Sequence, residues 1–461
     1  MILEGNVHRA VLAVAFPSVA TMLLQTTNSQ LDFFFVGQLG PDALAAVTVS
    51  SSLMFALISA VTAISAGTTA LVARFVGEGN EEDGVVAVRQ SLLLAVLLSL
   101  LVGLPMLFFR DGILSVLGLQ GNALSLASRY LFITVLGMPA LFLMWILNGA
   151  FRGLGDTVRP FWITLIANII HAIGNWLLIF GNLGFPRMGL AGGALALAIS
   201  QVVATVLFLI LLRYSAVSEV YDGPWTLRMD WARRITRIGI PAAFQQLIRT
   251  GSFLAFQSLL AKTAVNPSLG AAAIAALGVG LRAESIAFMP GFGYSIAASA
   301  FVGQNLGAKQ PDRASAGAWS ATFQAVAIMT FMGILFAVFA EPFAGIFIKH
   351  MPGESAAQAA QVDQTLALTV AYLHIALWSE PFLALGMVLT GALQGAGETV
   401  GPTRITLMTM LVMRLSLGAY VLFLTPWGIP GAWWTMTLST IAGGIATVLL
   451  FIQGRWRDIQ V

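Results

Sequence analysis

The chain repeats one of its own segments: GAFRGLGDTVRP at residues 149–160 returns as GALQGAGETVGP at residues 391–402. A single shift along the chain aligns the glycines, the threonine–valine pair and the final proline of the two copies. Such long-range self-similarity is typical of a protein built from two related halves. This pair therefore predicts the overall organisation of the chain.

Two more pairs of segments support the repeat. ALAAVTVS at 43–50 resembles AIAALGVG at 273–280, and VARFVGEGN at 72–80 resembles VGQNLGAKQ at 302–310. The three matches occur in the same order in both halves, which is hard to attribute to chance. Small differences in spacing between the pairs indicate short insertions in loops.

A polar segment, SAVSEVYDGPWTLRMDWARR, begins at residue 215 near the middle of the chain. It contains proline, glycine and charges of both signs, which are typical of a linker. We therefore predict an N-terminal lobe at 1–213, a linker at 214–231 and a C-terminal lobe at 232–461.

Composition indicates where these lobes lie. Only 9% of residues are charged and 58% are hydrophobic, whereas about 25% of residues are charged in soluble proteins. So few charges could not cover the surface of a soluble fold of this length. The sequence therefore predicts an all-α protein that crosses a membrane many times.

A membrane-spanning helix needs about 20 mostly apolar residues. By this measure we expect about twelve spans, six in each lobe. They are predicted at 10–36, 43–73, 86–109, 126–150, 160–181, 189–213, 235–263, 272–301, 315–348, 363–393, 401–424 and 429–453.

An even number of spans gives both lobes the same orientation. A pseudo-two-fold axis along the membrane normal is then expected to relate the lobes, with a cavity between them. Lysine and arginine concentrate in the segments that share a side with the N-terminus. Basic loops stay inside the cell, so we expect both termini in the cytoplasm and the protein in the inner (plasma) membrane.

Five segments resemble the multidrug and toxic compound extrusion (MATE) family of transporters, and they occur in that family's order. They are LDFFFVGQLGPDALAAV, FRGLGDTVRP, NWLLIFGNLGFPRMGLAGGALA, FVGQNLGAKQPDRA and LQGAGETVGPT. The resemblance covers nearly the whole chain. It implies a V-shaped bundle of two six-helix lobes that exports amphipathic, often cationic compounds in exchange for protons or sodium ions.

The resemblance also bears on single positions. The family's first-span aspartate falls on Asp32, and its first-span proline falls on Pro17. Some members carry an asparagine and an aspartate in the fifth span and a threonine in the sixth. Those positions are His171, Asn175 and Leu197 here.

Another branch carries an acidic residue in the seventh span, where this chain has Arg249. Neither sodium-binding arrangement of the family is therefore reproduced. This departure favours proton coupling, as in the DinF-like branch of the family.

Polar residues share one face on each of two predicted spans. They are Gln25, Asn28 and Asp32 on the first, and Asn168, His171 and Asn175 on the fifth. Both sets have the spacing i, i+3, i+7, which places them along one side of a helix. Ionisable groups inside a membrane are functional by default. We therefore predict a coupling site formed by Asp32, His171, Asn175 and Asn168.

Proline inside a helix removes a backbone hydrogen bond and produces a kink. Pro17 is therefore predicted to be a hinge of the first span, although a fixed kink used for packing remains an alternative. Asp32 could likewise be a structural acceptor, and His171 an interhelical hydrogen-bond donor.

The cavity between the lobes is expected to receive Gln25, Asn28, Gln246, Arg249 and Glu284. Arg249 is also expected to form an ion pair with Glu284 or Glu380, because charges in a membrane need partners. An unpaired Glu284 would instead offer a counter-charge to a cationic substrate.

These patterns favour a proton-coupled antiporter with Asp32 as the coupling carboxylate. Sodium coupling is one alternative, with Asp32 joined by Asn168 or Asn175. A flippase for lipid-linked precursors is another, and it would need a strongly cationic cavity.

An enzyme is not expected, because the four histidines (His8, His171, His350 and His374) are scattered and no acid–base cluster is visible. GLGDT and GAGET lack the lysine of a phosphate-binding loop, so we expect an ion gradient to power transport. We expect no cofactor, no resident metal and no nucleic acid. The partners expected are amphipathic small molecules and membrane lipids, and the protein is expected to be a monomer.

Overall fold

A computed structural model describes residues 2–262, 267–350 and 353–459. In these ranges the chain forms sixteen α-helices, which confirms the all-α prediction. They are α1 (Val7–Gly37), α2 (Pro41–Glu78), α3 (Glu81–Val116), α4 (Gly121–Leu136), α5 (Met138–Gly153), α6 (Val158–Phe180), α7 (Leu190–Leu212), α8 (Met229–Lys262), α9 (Pro267–Gly307), α10 (Pro311–Val338), α11 (Ala340–Phe347), α12 (Ala356–Ala376), α13 (Glu380–Gly395), α14 (Val400–Thr406), α15 (Arg414–Leu424) and α16 (Gly428–Ile452).

Local sequence sets the helix ends. Before α3, the Asn80 side chain accepts a hydrogen bond from the Asp83 backbone N–H, which caps the first turn. Ser355 and Gln358 form a reciprocal capping box at the start of α12. α2 ends at Glu78 and is followed by Gly79, whose φ of 71° suits glycine best.

The number of spans approaches the prediction. In the described ranges, ten segments are long and apolar enough to cross a membrane, and the bent pair α4–α5 makes an eleventh. The predicted span at 235–263 falls in α8, which has 34 residues but is not among them. The reason is that Gln245, Gln246 and Arg249 lower the hydropathy of its middle.

Both lobes break the fourth of their spans at the same place. The first lobe bends by 51° between α4 and α5, and Pro139 lies in the first turn of α5. The second lobe has a short 3-10 turn, Leu377–Ser379, between α12 and α13, and Pro381 lies in the first turn of α13. The shift that aligns the two quoted segments also aligns these prolines. The repeat is thus visible in the backbone.

α1 packs across the two lobes. Its N-terminal half buries Val11 and Val14 in the same apolar core as Phe301 of α9 and Leu389 of α13. Movements of α1 are therefore linked to the packing between lobes.

The lobes pack closely at the end of the bundle that carries both termini. A Cβ on Gly239 of α8 would lie 1.7 Å from the carbonyl oxygen of Ala63 on α2. A Cβ on Gly77 of α2 would lie 2.0 Å from the carbonyl oxygen of Gln304 on α9. Only glycine permits such backbone approach. The cleft between the lobes is therefore closed at the end that holds the termini.

Candidate functional site

A polar network joins α1 to α6 inside the first lobe. The Asn175 side-chain N–H donates to Asp32 Oδ1 over 2.8 Å, and His171 Nε2 lies 3.4 Å from the same oxygen. His171 Nδ1 lies 3.1 Å from the Asn28 amide nitrogen. The structure thus brings together Asp32, His171 and Asn175, as the sequence predicts.

The pairing follows from the register of two parallel helices. Asn168 donates to the Leu24 carbonyl over 3.0 Å, one turn before the contact of His171 with Asn28. One turn further, Asn175 meets Asp32. Each turn of α6 therefore presents one polar side chain to one turn of α1.

Exposure differs sharply within this network. The His171 side chain is only 3% exposed, whereas the Asp32 side chain is 36% exposed. A proton or a small cation can therefore reach the carboxylate without first separating α1 from α6. His171 and Asn175 hold the carboxylate from the buried side.

The network has one unused acceptor. Asn175 Oδ1 is buried and has no hydrogen-bond partner among the described residues. The free atom of Asn175 is its oxygen because the amide nitrogen is the atom that donates to the Asp32 carboxylate. An oxygen beside a carboxylate is the type of ligand that a hard cation prefers.

Pro17 lies inside α1, which runs unbroken from Val7 to Gly37. The Thr21 hydroxyl donates to the Pro17 carbonyl over 2.8 Å, and the Ser18 hydroxyl donates to the Val14 carbonyl over 2.9 Å. In this conformation hydroxyl groups thus satisfy carbonyls around the proline.

A cavity of about 340 Å³ lies between the lobes. Predicted residues Gln25 of α1 and Gln246 and Arg249 of α8 line it. Arg152, at the end of α5, lines it as well. Helices of both lobes therefore form its wall.

The structure does not place the predicted residues Asn28 and Glu284 in the wall of this cavity. Asn28 turns towards His171 within the first lobe. Glu284 lines a separate cavity of about 200 Å³ inside the second lobe. There its carboxylate accepts a hydrogen bond from the Tyr372 hydroxyl, so it is already engaged.

The expected ion pair of Arg249 is also absent. Among the described residues, no carboxylate lies within ion-pair distance of Arg249. Glu380 is buried at the start of α13, and its Oε2 atom has no hydrogen-bond partner there. Arg414 donates instead to the Ser439 and Thr440 hydroxyls.

Sequence reasoning missed Arg152 and Tyr372. Arg152 lies just beyond the predicted span at 126–150, where it counts among the basic residues of an inner loop. The signal was present, because Trp145 and Arg152 lie two turns apart on one face of α5 and both line the cavity. For Tyr372 there was no sequence signal, since its partner Glu284 lies on another helix.

α1 connects the polar network to the cavity. Gln25 reaches the cavity, and Asp32 lies two turns further along the same helix face. A change in the position of α1 that follows from the charge of Asp32 would therefore alter the cavity wall.

Comparison with known proteins agrees with this architecture. The MatE family model matches residues 17–177 and 241–420. A probable multidrug resistance protein NorM of Thermotoga maritima is 25% identical, over 99% of this chain and 94% of its own. A FAD transporter of Shewanella oneidensis is 27% identical, over 97% of this chain and 95% of its own.

A solved structure supports the fold. A transporter of the MOP superfamily from Pyrococcus furiosus has a TM-score of 0.86 and 22% identity, over 99% of this chain and 97% of its own. Because the family model matches most of the chain in both lobes, this integral membrane protein belongs to the MatE family of transporters.

Proposed function

We propose that the protein is a secondary active antiporter of amphipathic compounds that uses protons bound at Asp32. The observation that carries this proposal is a carboxylate that is partly exposed and held by Asn175 and His171 on the helix that also lines the cavity. We propose further that it works as a monomer in the inner (plasma) membrane, without cofactor, and that it is not an enzyme.

The coupling uses a change of charge at Asp32. As a carboxylate, Asp32 accepts the hydrogen bond of Asn175. A proton removes that charge and weakens the bond, because hydrogen bonds to charged groups are the stronger ones. α1 then shifts around Pro17 and moves Gln25 in the cavity wall. Substrate and proton thereby favour different positions of α1.

The direction of transport follows from the orientation that the sequence predicts. With both termini in the cytoplasm, the close packing of α2 against α8 and α9 shuts the cleft on the cytoplasmic side. A proton enters from outside, and the return to the inward-open state releases it inside. Each charge that crosses 100 mV contributes about 2.3 kcal/mol, enough for substantial accumulation.

Sodium coupling is the second candidate. The unpartnered Asn175 Oδ1 favours it, because this oxygen lies on the same side chain that holds Asp32. A sodium ion would need several such oxygens in a small space. A dependence of transport on sodium at constant pH would distinguish this candidate.

The experiment is transport in proteoliposomes that carry a pH gradient, with and without sodium. One cationic dye, ethidium, and one anionic dye, fluorescein, serve as probes. We expect the pH gradient alone to drive transport of one of them, and Asp32→Asn to abolish it. The control is Asp42→Asn, a carboxylate at the start of α2 outside the network. Transport by Asp32→Asn at the wild-type rate would overturn the proposal.

A further inference from the structure

The cavity between the lobes has a marked excess of positive charge. Arg152 of α5 and Arg249 of α8 both line it. Among the described residues that form its wall, none is an aspartate or a glutamate. A cationic substrate would therefore meet two like charges and no counter-charge there.

Neither arginine is neutralised by the residues that the structure describes. In the described part of the chain, neither guanidinium forms an ion pair within 4.0 Å. The Nε atom of Arg249 is buried and finds no hydrogen-bond acceptor. An unpaired charge withdrawn from water is costly, and so is an unsatisfied donor. A ligand that carries negative charge would remove both costs.

The neighbouring cavity does not supply the missing charge. Glu284 lies there with Arg249 and Arg414, and its carboxylate accepts the hydrogen bond of Tyr372. The two arginines outnumber this one carboxylate in the wall. Glu284 and Arg414 balance one another there, so the positive excess comes from Arg152 and from Arg249, which lines both cavities.

The rest of the wall suits a flat apolar body. Phe55, Trp145 and Phe292 contribute aromatic faces, and Gln25 and Gln246 contribute neutral polar groups. Its volume of about 340 Å³ falls within the range of small-molecule sites, about 300–1,000 Å³.

We infer that the substrate of this antiporter is an amphipathic organic anion, with a carboxylate or phosphate held by Arg152 and Arg249. Guanidinium groups suit such oxyanions because their planar N–H donors can bind two oxygens at once. This inference rests on the proposed function, and it replaces the expectation of cationic substrates that came from the family resemblance.

The test is equilibrium binding to the purified full-length protein in detergent. Three probes share one ring system and differ in charge: 1-naphthyl phosphate, 1-naphthoate and 1-naphthylmethylammonium. We expect at least one anion to bind, and the ammonium compound to bind at least tenfold more weakly than that anion. Dodecyl phosphate is the fourth probe, and its preference over naphthyl phosphate would identify a lipid-type anion as the substrate.

Variants of Arg152 and Arg249 test whether these side chains bind the anion. Arg152→Gln and Arg249→Gln should each weaken anion binding by roughly tenfold or more, since each removes a hydrogen bond between charged groups. Arg249→Lys keeps the charge and should retain more affinity than Arg249→Gln, which separates loss of charge from a folding defect. Arg129→Gln, an exposed arginine of α4 outside the cavity, is the matched control and should bind as the wild type.

Failure of this inference differs from failure of the proposed coupling. Asp32→Asn should still bind the naphthyl anion, because Asp32 does not line the cavity. Tighter binding of the ammonium probe than of either anion would overturn the inference, even if proton coupling holds. So would unchanged anion affinity in both glutamine variants.

Discussion

The close packing of the lobes at Gly239 makes a quantitative prediction about their movement. A methyl group added there would lie 1.7 Å from the Ala63 carbonyl oxygen, where an ordinary contact needs about 3.5 Å. In Gly239→Ala, α2 and α8 must therefore separate by roughly 2 Å. The added Cβ is fixed to the α8 backbone and the Ala63 oxygen belongs to the α2 backbone, so a side-chain rotation cannot relieve the clash.

The free-energy cost falls on the conformation in which these helices touch. Overpacking of a tight interface costs about 1–3 kcal/mol. We take a population of about 1% for the conformation that is open at the termini in the wild type. A cost of about 2 kcal/mol to the closed conformation then raises the ratio of open to closed molecules about 30-fold. Gly239→Ala should then hold about a quarter of the molecules in that conformation.

Spin labels can measure this change directly, because the chain contains no cysteine. Glu82 at the start of α3 and Asp312 at the start of α10 are exposed and lie in different lobes. Cysteine substitutions there would carry the labels for a pulsed electron resonance distance measurement. A longer distance should appear in Gly239→Ala.

The control is Gly251→Ala on the same helix, where an added Cβ meets nothing within 4 Å. It should reproduce the wild-type distances. An unchanged distance distribution in Gly239→Ala would mean that the contact of α8 with α2 at Gly239 does not close the cleft.

Two further predictions concern side chains outside the polar network of α1 and α6. Tyr372→Phe removes the hydroxyl that donates to Glu284 and should lower the free energy of unfolding by about 1–3 kcal/mol. Denaturation in detergent measures this change, and an unchanged denaturation midpoint would contradict it. The pKa of His350, between α11 and α12, is raised chiefly by its hydrogen bond to Glu354 and also by Asp363. The stabilisation from these contacts is therefore complete below the unfolded pKa of about 6.5 and disappears as pH rises through the folded pKa. An NMR titration of His350 measures the folded pKa. A midpoint at or below the unfolded value would contradict this assignment.

The repeat and the polar faces made much of this architecture predictable. The segment at 149–160 and its copy predict two lobes, and the structure adds that Pro139 and Pro381 start equivalent half-helices. The spacing of polar residues on the first and fifth spans predicts the contact of Asp32 with Asn175. Periodicity succeeds here because a polar side chain in a membrane helix must face another helix.

Contacts between distant helices were less predictable. The sequence gives no sign of the π-helical segment Leu407–Met413, whose wider turn depends on partners on α8. There the Ser252 hydroxyl donates to the Met410 carbonyl, and just before the segment Gln245 donates to the Pro402 carbonyl over 3.3 Å. Polar groups of another helix thus satisfy a backbone that the local sequence would make α-helical.

The charges of the second lobe show the same limit. Because charges in a membrane need partners, the sequence predicts a partner for Arg249. It does not tell whether this side chain forms an ion pair within the lobe or lies in the cavity wall. That choice depends on the relative rotation of α8 and α9. Because Arg249 remains unpaired among the described residues, the cavity acquires the charge that its substrate must balance.

Proton release on substrate binding would show whether Asp32 gives up its proton as the substrate binds. Saturating substrate is added to the purified protein in a weakly buffered solution below neutral pH, and the released protons are counted with an indicator dye. Asp32→Asn is compared with Asp42→Asn at equal substrate occupancy. We expect proton release by the wild type and by Asp42→Asn, and none by Asp32→Asn. Equal release by all three proteins would contradict it.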